Sequence, residues 1–157
     1  MIKKLYTTAP KDYPVCVHAQ CPKAGECLHR IAFEKLRTEK DYMRLLNPDH
    51  CSADDSCQNF RCNKPVRYAR GFTQMQRRMY PDQYARFMTI LIMEFGRNPY
   101  YDRRRGVIAM PPKEQKLVLQ VLKRVGVTEE LKFDSYVDAI NWYDCPKSSL
   151  NHFGNDY

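Results

Sequence analysis

The cysteines carry the clearest chemical pattern in the sequence. Six of the seven fall in two triplets with mirrored spacing, Cys16-x4-Cys21-x5-Cys27 and Cys51-x5-Cys57-x4-Cys62. Thiolates grouped in this way are typical ligands of Zn²⁺, which takes four sulfur or nitrogen donors in a tetrahedron. One metal ion held by both triplets ties two separate segments of the chain together. We therefore predict a metal site, with Cys16, Cys21 and Cys27 as the tighter part of the ligand set.

Other interpretations of the cysteines stay open at this point. Four thiolates also hold an iron–sulfur cluster, although we favour zinc. Free structural thiols, disulfides and a redox switch are further alternatives. His18, His29 and His50 are close enough in sequence to compete as ligands, and Cys145 has no neighbouring cysteine, so we treat it as incidental.

A second pattern is the uneven distribution of charge. The 157 residues have a net charge of +8 and a pI of about 9.2. Residues 61–105 contain eleven cations, ten of them Arg, and three anions, so this segment alone accounts for +8. Arginine presents a planar fork that pairs with phosphate and stacks on bases, whereas lysine is a hydrated point charge. The bias favours a binding surface over a merely solubilising one.

We predict that this arginine segment binds nucleic acid, as DNA, RNA or a nucleoprotein complex. Phosphate neutralisation and ring stacking would come from ten side chains: Arg67, Arg70, Arg77, Arg78, Arg97, Tyr100, Tyr101, Arg103, Arg104 and Arg105. An adaptor that binds an acidic protein surface is the alternative. A second alternative is an iron–sulfur or thiol redox sensor.

Several classes of protein are excluded or disfavoured. The sequence contains no catalytic triad order, phosphate-cradling glycine loop, HExxH motif or zinc-deaminase signature, so we predict a non-enzymatic protein. Residues 1–14 lack the apolar run of a secretory signal, and 87–95 is about half the length of a membrane span. We expect a cytoplasmic protein, where the reducing environment favours metal-bound or reactive thiols over disulfides.

These side chains need elements to position them, and hydrophobic periodicity predicts a mainly α fold. We expect a compact single domain over 1–157, with a cysteine-rich metal-binding subregion at 1–64, a helical core at 65–143 and a polar tail at 144–157. The predicted helices cover 22–36, 65–79, 83–95, 112–125 and 134–143. Residues 97–106 are predicted to be a basic connector and nucleic-acid contact loop.

The chain resembles a domain family of unknown function from Bacteroides-type bacteria. The likeness rests on Cys16-Val-His-Ala-Gln-Cys21-Pro-Lys-Ala-Gly-Glu-Cys27, on Val66-Arg-Tyr-Ala-Arg-Gly-Phe72, and on Phe95-Gly-Arg followed by Tyr100-Tyr101 and Arg103 to Gly106. The resemblance implies one later ligand, at Cys57, and brings no known activity. Cys51 and Cys62 depart from the family pattern, which leaves them as spare thiols or parts of a second site with His50.

Overall fold

The structure is a computed structural model that describes residues 8–54 and 56–142. The described residues form two compact units, each with its own hydrophobic core. The arginine unit consists of 66–139, and the cysteine unit of 8–54, 56–65 and 140–142. This division adjoins the predicted boundary between the cysteine-rich subregion and the rest of the chain. The predicted polar tail and Cys145 lie outside the described residues.

The described chain contains both helices and strands, with three successive helices between the two strands. In order, the elements are α1 (Leu28–Glu39), β1 (Pro65–Arg70), α2 (Pro81–Phe95), α3 (Arg97–Arg104), α4 (Pro112–Arg124) and β2 (Ser135–Ile140). Short 3-10 turns lie at Pro48–His50 and Met75–Arg78. β1 and β2 pair as an antiparallel two-stranded sheet.

The prediction of a mainly helical fold is wrong, because the described residues form a mixed α/β structure. The helix predicted over 65–79 is β1 followed by the turn Met75–Arg78, and the helix predicted over 134–143 is β2. Val66 and Tyr68 favour strand over helix, since branched and aromatic side chains pack well on a pleated surface. Gly71, with φ +73°, then ends β1 in a conformation that other residues rarely adopt.

The helices α2 and α4 confirm the predictions for 83–95 and 112–125. A proline occupies the first turn of each, where its missing N–H costs nothing. The Gln83 side chain accepts a hydrogen bond from Tyr80 N at 2.9 Å and caps α2. The buried side chains of these helices repeat at helical spacing: Phe87 and Leu91 on α2, and Val118, Val121 and Leu122 on α4.

The predicted connector at 97–106 is instead largely helical, as α3. A single residue, Gly96 with φ +87°, separates α2 from α3. The Tyr100 ring anchors α3, because it is fully buried between Phe72 and Tyr101. The many charges of 97–106 favoured an exposed loop in the prediction. Burial of Tyr100 instead favours the helix α3.

The cysteine unit combines one helix with extended loops around a small core. α1 begins at Leu28, after the cysteine-rich turns, and not at Pro22 as predicted. Its inward side chains pack with residues from both ends of the described chain: Tyr13, Val15, Leu28, Ala32, Leu36 and Trp142. Within the described ranges, no helix has the length and apolar character required to cross a membrane.

Candidate functional site

Five arginines of the arginine unit lie on three segments that contact one another. They come from the end of β1, from the turn Met75–Arg78 and from the C-terminal end of α3, and we call them the basic surface: Arg70, Arg77, Arg78, Arg104 and Arg105. Two side-chain contacts and one backbone contact join these segments. Arg70 Nη1 donates to Gly106 O at 3.0 Å, Arg104 Nη2 donates to Gln76 Oε1, and Phe72 N donates to Arg104 O at 3.1 Å.

The charges of the basic surface are only partly neutralised. The acceptors of Arg70 and Arg104 are carbonyl and amide oxygens, which carry no formal charge. Arg77 and Arg78 are exposed and make no ion pair or side-chain hydrogen bond to any described residue. Arg105 pairs with Asp102 at 2.8 Å, yet its side chain is 62% exposed.

A second carboxylate near the basic surface is already engaged. Asp134 accepts hydrogen bonds from Thr73 N at 2.9 Å, from Thr73 Oγ1 at 2.8 Å and from Gln74 N at 3.3 Å. These bonds hold the loop that leads into Met75–Arg78, so Asp134 has a local structural role. The five guanidinium groups therefore leave a net positive surface.

Three residues of the predicted nucleic-acid-binding set serve the core or its edge. Tyr100 is 0% exposed, so its ring cannot stack on a base in this conformation. Tyr101 is half-buried and packs edge-on against Tyr100, with ring centroids 5.1 Å apart. Arg103 makes a two-point ion pair with Glu114, at 2.8 and 2.9 Å, and lies 4.4 Å from the Phe95 ring centroid.

The two remaining predicted arginines lie away from the basic surface. Arg67 is exposed and faces β2, where its guanidinium lies 5.1 Å from the Tyr136 ring centroid and 4.0 Å from Asp138. Arg97 is the first residue of α3, at the opposite end of that helix from Arg104, and is also exposed. The structure thus brings together five of the eight predicted arginines.

Sequence reasoning missed two residues at the basic surface. Gln76 holds the Arg104 guanidinium from 28 positions away, and no sequence signal marks such a contact. Tyr80 is 74% exposed and follows the Arg77-Arg78 pair directly in the chain. The predicted helix over 65–79 ended one residue short of Tyr80, and attention went to the Tyr100-Tyr101 pair instead.

The cysteine unit contains a second candidate site, a small cavity lined by five cysteines. These are the four predicted metal ligands and one more: Cys16, Cys21, Cys27, Cys57 and Cys51. About 20 Å³ of this cavity is open to the centre of a water molecule, which is roughly the room that one water needs. Cys51, predicted to be a spare thiol or part of a second site with His50, therefore lies with the predicted ligands.

The cavity is not a ready-made metal site. The five cysteines that line the cavity are free thiols. Over 8–54 and 56–142, no three Cys, His, Asp or Glu side chains lie close enough together to hold an ion. The sequence predicted a metal-binding subregion here. The described residues contain no preformed ion site, since the sulfurs line a common space without converging on one point. Cys62 does not line the cavity, and its Sγ accepts a hydrogen bond from Lys64 N at 3.4 Å.

The three candidate histidine ligands have different surroundings. His29 is buried, with Nδ1 2.6 Å from Pro14 O and its ring stacked on Tyr13, and burial lowers its pKa. His50 is exposed and does not line the cavity. His18 does line it, with Nε2 3.4 Å from Pro48 O. Only His18 is therefore placed beside the cysteines.

Comparison with known proteins gives one match. A family of unknown function, DUF6078, has a model that matches residues 1–142. No curated protein and no solved structure matches the chain.

Proposed function

The chain belongs to this family of unknown function, and we propose from the geometry of its arginine unit that it binds nucleic acid through the basic surface. One observation carries the proposal. Arg70 and Arg104 are held by uncharged acceptors, which fix the position of each guanidinium and leave its charge available. Two further exposed arginines, Arg77 and Arg78, lie on the same turn as Gln76.

Fixed guanidinium groups bind phosphate at a lower entropic cost. An immobilised long side chain costs about 0.5–1.5 kcal/mol at an interface, and this cost is already met for a side chain held in the free protein. Arginine has five N–H donors, so Arg70 and Arg104 retain donors beyond those in their internal bonds. The surface thus offers several forks at defined positions to a chain of phosphates.

The same geometry favours contact with the backbone of the nucleic acid over direct reading of bases. Five arginines and few neutral hydrogen-bonding side chains provide phosphate contacts, which position a nucleic acid without reading its sequence. The exposed Tyr80 ring adds a platform on which an unpaired base can stack. We therefore propose a preference for single-stranded DNA or RNA, with weak sequence discrimination.

A direct binding measurement tests this function. Fluorescence anisotropy of labelled single-stranded and duplex DNA and RNA, at ~0.15 M salt, should show binding, tightest to a single strand. Absence of binding to all four ligands would exclude the proposal. Binding to an acidic polypeptide with comparable affinity would favour the alternative, an adaptor for an acidic protein.

The sequence also predicts the class of protein, its location and its source, and we keep these three expectations with the proposed function. They describe a non-enzymatic binding protein in the cytoplasm of a Bacteroides-type bacterium. Metal or thiol chemistry is not required for the basic surface to bind nucleic acid, because all five arginines belong to the arginine unit.

A further inference from the structure

Two matching turns bring cysteines to the cavity of the cysteine unit. Ala24 N donates to Cys21 O at 3.0 Å, and Phe60 N donates to Cys57 O at 3.2 Å, so a turn begins at each cysteine. Lys23 Nζ lies 4.7 Å from the Phe60 ring centroid and joins the two turns. The mirrored cysteine spacing of the sequence thus corresponds to a repeated local structure.

Cys51 is the most deeply placed of these thiols. It is 8% exposed and lines the cavity together with Cys16 and Cys57. Asn59 Nδ2 donates to Cys51 Sγ at 3.4 Å. Hydrogen-bond donors to sulfur are the usual outer shell of a metal-bound thiolate, because they orient the ligand and stabilise its charge.

We infer that the cavity binds one thiophilic divalent cation of the Zn²⁺ class, with Cys16, Cys51 and Cys57 as constant ligands. Cys21 or Cys27 supplies the fourth thiolate. This assignment differs from the sequence prediction by making Cys51 essential and by making two of the predicted ligands interchangeable. It is independent of the proposed binding of nucleic acid.

The ion assembles its ligands through side-chain rotation. A cysteine has one χ1 angle with three staggered positions, so each sulfur can turn toward the cavity centre while the backbone turns stay in place. Each thiol that becomes a ligand loses its proton to solvent. Among the described residues, no three ligand side chains meet at one point. This arrangement is consistent with a site whose cysteines turn inward when the metal binds.

The cavity also has suitable charge and size. Four thiolates and one divalent cation leave two negative charges, and Lys23 and Arg30 both line the cavity. Asp54 lines it as well, and its Oδ1 is occupied by Ser56 N and Oγ, at 2.9 and 2.6 Å. The open space of about 20 Å³ has room for a single ion of about the size of a water molecule.

Metal analysis of the full-length protein, purified without oxygen, tests the site. We expect about one zinc per chain, a ratio set by four-coordinate ligation. Competition with a chromophoric chelator should show that Cys51→Ser weakens zinc binding by roughly 100-fold or more, because a structural ligand is lost. Cys21→Ser should weaken it by less than about 10-fold, because Cys27 replaces it.

Cys62→Ser is the matched control, since Cys62 is a neighbouring thiol that does not line the cavity. It should keep wild-type affinity for zinc. Cobalt substitution provides a readout that folding alone does not produce, since tetrahedral thiolate ligation gives intense visible bands. We expect these bands in the wild-type protein and in Cys62→Ser, and their loss in Cys51→Ser.

Three results would overturn the inference. One is a wild-type protein that carries no zinc and neither binds added zinc nor gains thermal stability from it. Another is wild-type affinity in Cys51→Ser, which would remove Cys51 from the ligand set. The third is a brown protein containing iron and sulfide, which would replace the single ion with a cluster.

Discussion

Removing Arg77 and Arg78 together should reduce the salt dependence of nucleic-acid binding. Both side chains are exposed and make no ion pair with any other described residue, so their loss leaves no buried charge behind. The double variant Arg77→Ala/Arg78→Ala keeps the three other arginines of the basic surface. It therefore changes the number of phosphate contacts without disturbing the fold.

The expected magnitude follows from counterion release. Five phosphate contacts on duplex DNA give a slope of log K against log salt of about −4.5, and three contacts give about −2.7. Raising salt from about 50 to 200 mM then weakens wild-type binding about 500-fold, and weakens binding by the double variant only about 40-fold. Slopes on single strands are shallower, at about −0.7 per contact, but change by the same proportion.

Anisotropy titrations at four or more salt concentrations measure these slopes. The matched control is Lys113→Ala/Lys116→Ala, which removes two exposed positive charges from the same unit. These lysines lie in the first turns of α4, where positive charge is unfavourable, so their loss does not weaken the helix. The control should keep the wild-type slope. Equal slopes for the Arg77/Arg78 variant and the wild type would refute the placement of the site.

The remaining predictions concern three other side chains. Tyr80→Ala should weaken single-strand binding by about 1–3 kcal/mol through lost stacking and leave duplex affinity unchanged, as measured by anisotropy. The control Tyr42→Ala, at an even more exposed tyrosine in the cysteine unit, should leave both affinities unchanged. Gln76→Ala should weaken binding roughly 2- to 10-fold because Arg104 becomes mobile, with an unchanged salt slope; a changed slope would contradict this role. Arg103→Ala should lower the free energy of unfolding by about 2–3 kcal/mol in urea titrations, because the half-buried Glu114 loses its partner; a large effect on the salt slope would place Arg103 in the site.

Helices with strong, long hydrophobic patterns were predictable from the sequence. The spacing of Phe87 and Leu91, and of Val118 and Val121, identified α2 and α4 because a helical repeat is hard to satisfy by chance over three turns. The predicted starts of these helices, at 83 and 112, lie within two residues of the observed starts, Pro81 and Pro112. The hydrophobic pattern and the residues at the helix ends both favour a helix there, and tertiary packing does not override that local preference.

The segment from 65 to 79 was not predictable in the same way. Tyr68, Phe72 and Met75 fall at helical spacing and are buried, but they belong to a strand, a glycine turn and a 3-10 turn. β1 pairs with β2, about 65 residues later in the chain, and through Ala69 with Met110, and these distant partners make the strand favourable. Single-sequence reasoning does not detect a partner at that distance.

The candidate sites were predictable in part. Their residue types were clear, since arginine-rich and cysteine-rich segments stand out in any composition. The individual residues of each site were not predictable, because they depend on which side chains are buried or paired in the folded protein. Tyr100 and Arg103 lie in a segment predicted to be a contact loop, and both are largely buried. Cys51 was left out of the predicted ligand set and yet lines the cavity with the predicted ligands.

Amide NMR mapping of the ¹⁵N-labelled protein during titration with single-stranded RNA is the most direct test of the basic surface. At ~0.15 M salt, we predict that shift changes concentrate at 70–80 and 104–106, with Arg77, Arg78 and Tyr80 among the largest. The amide chemical shifts of the cysteine unit should remain unchanged. No shift changes at saturating RNA, or changes centred on the cysteine unit, would contradict the account.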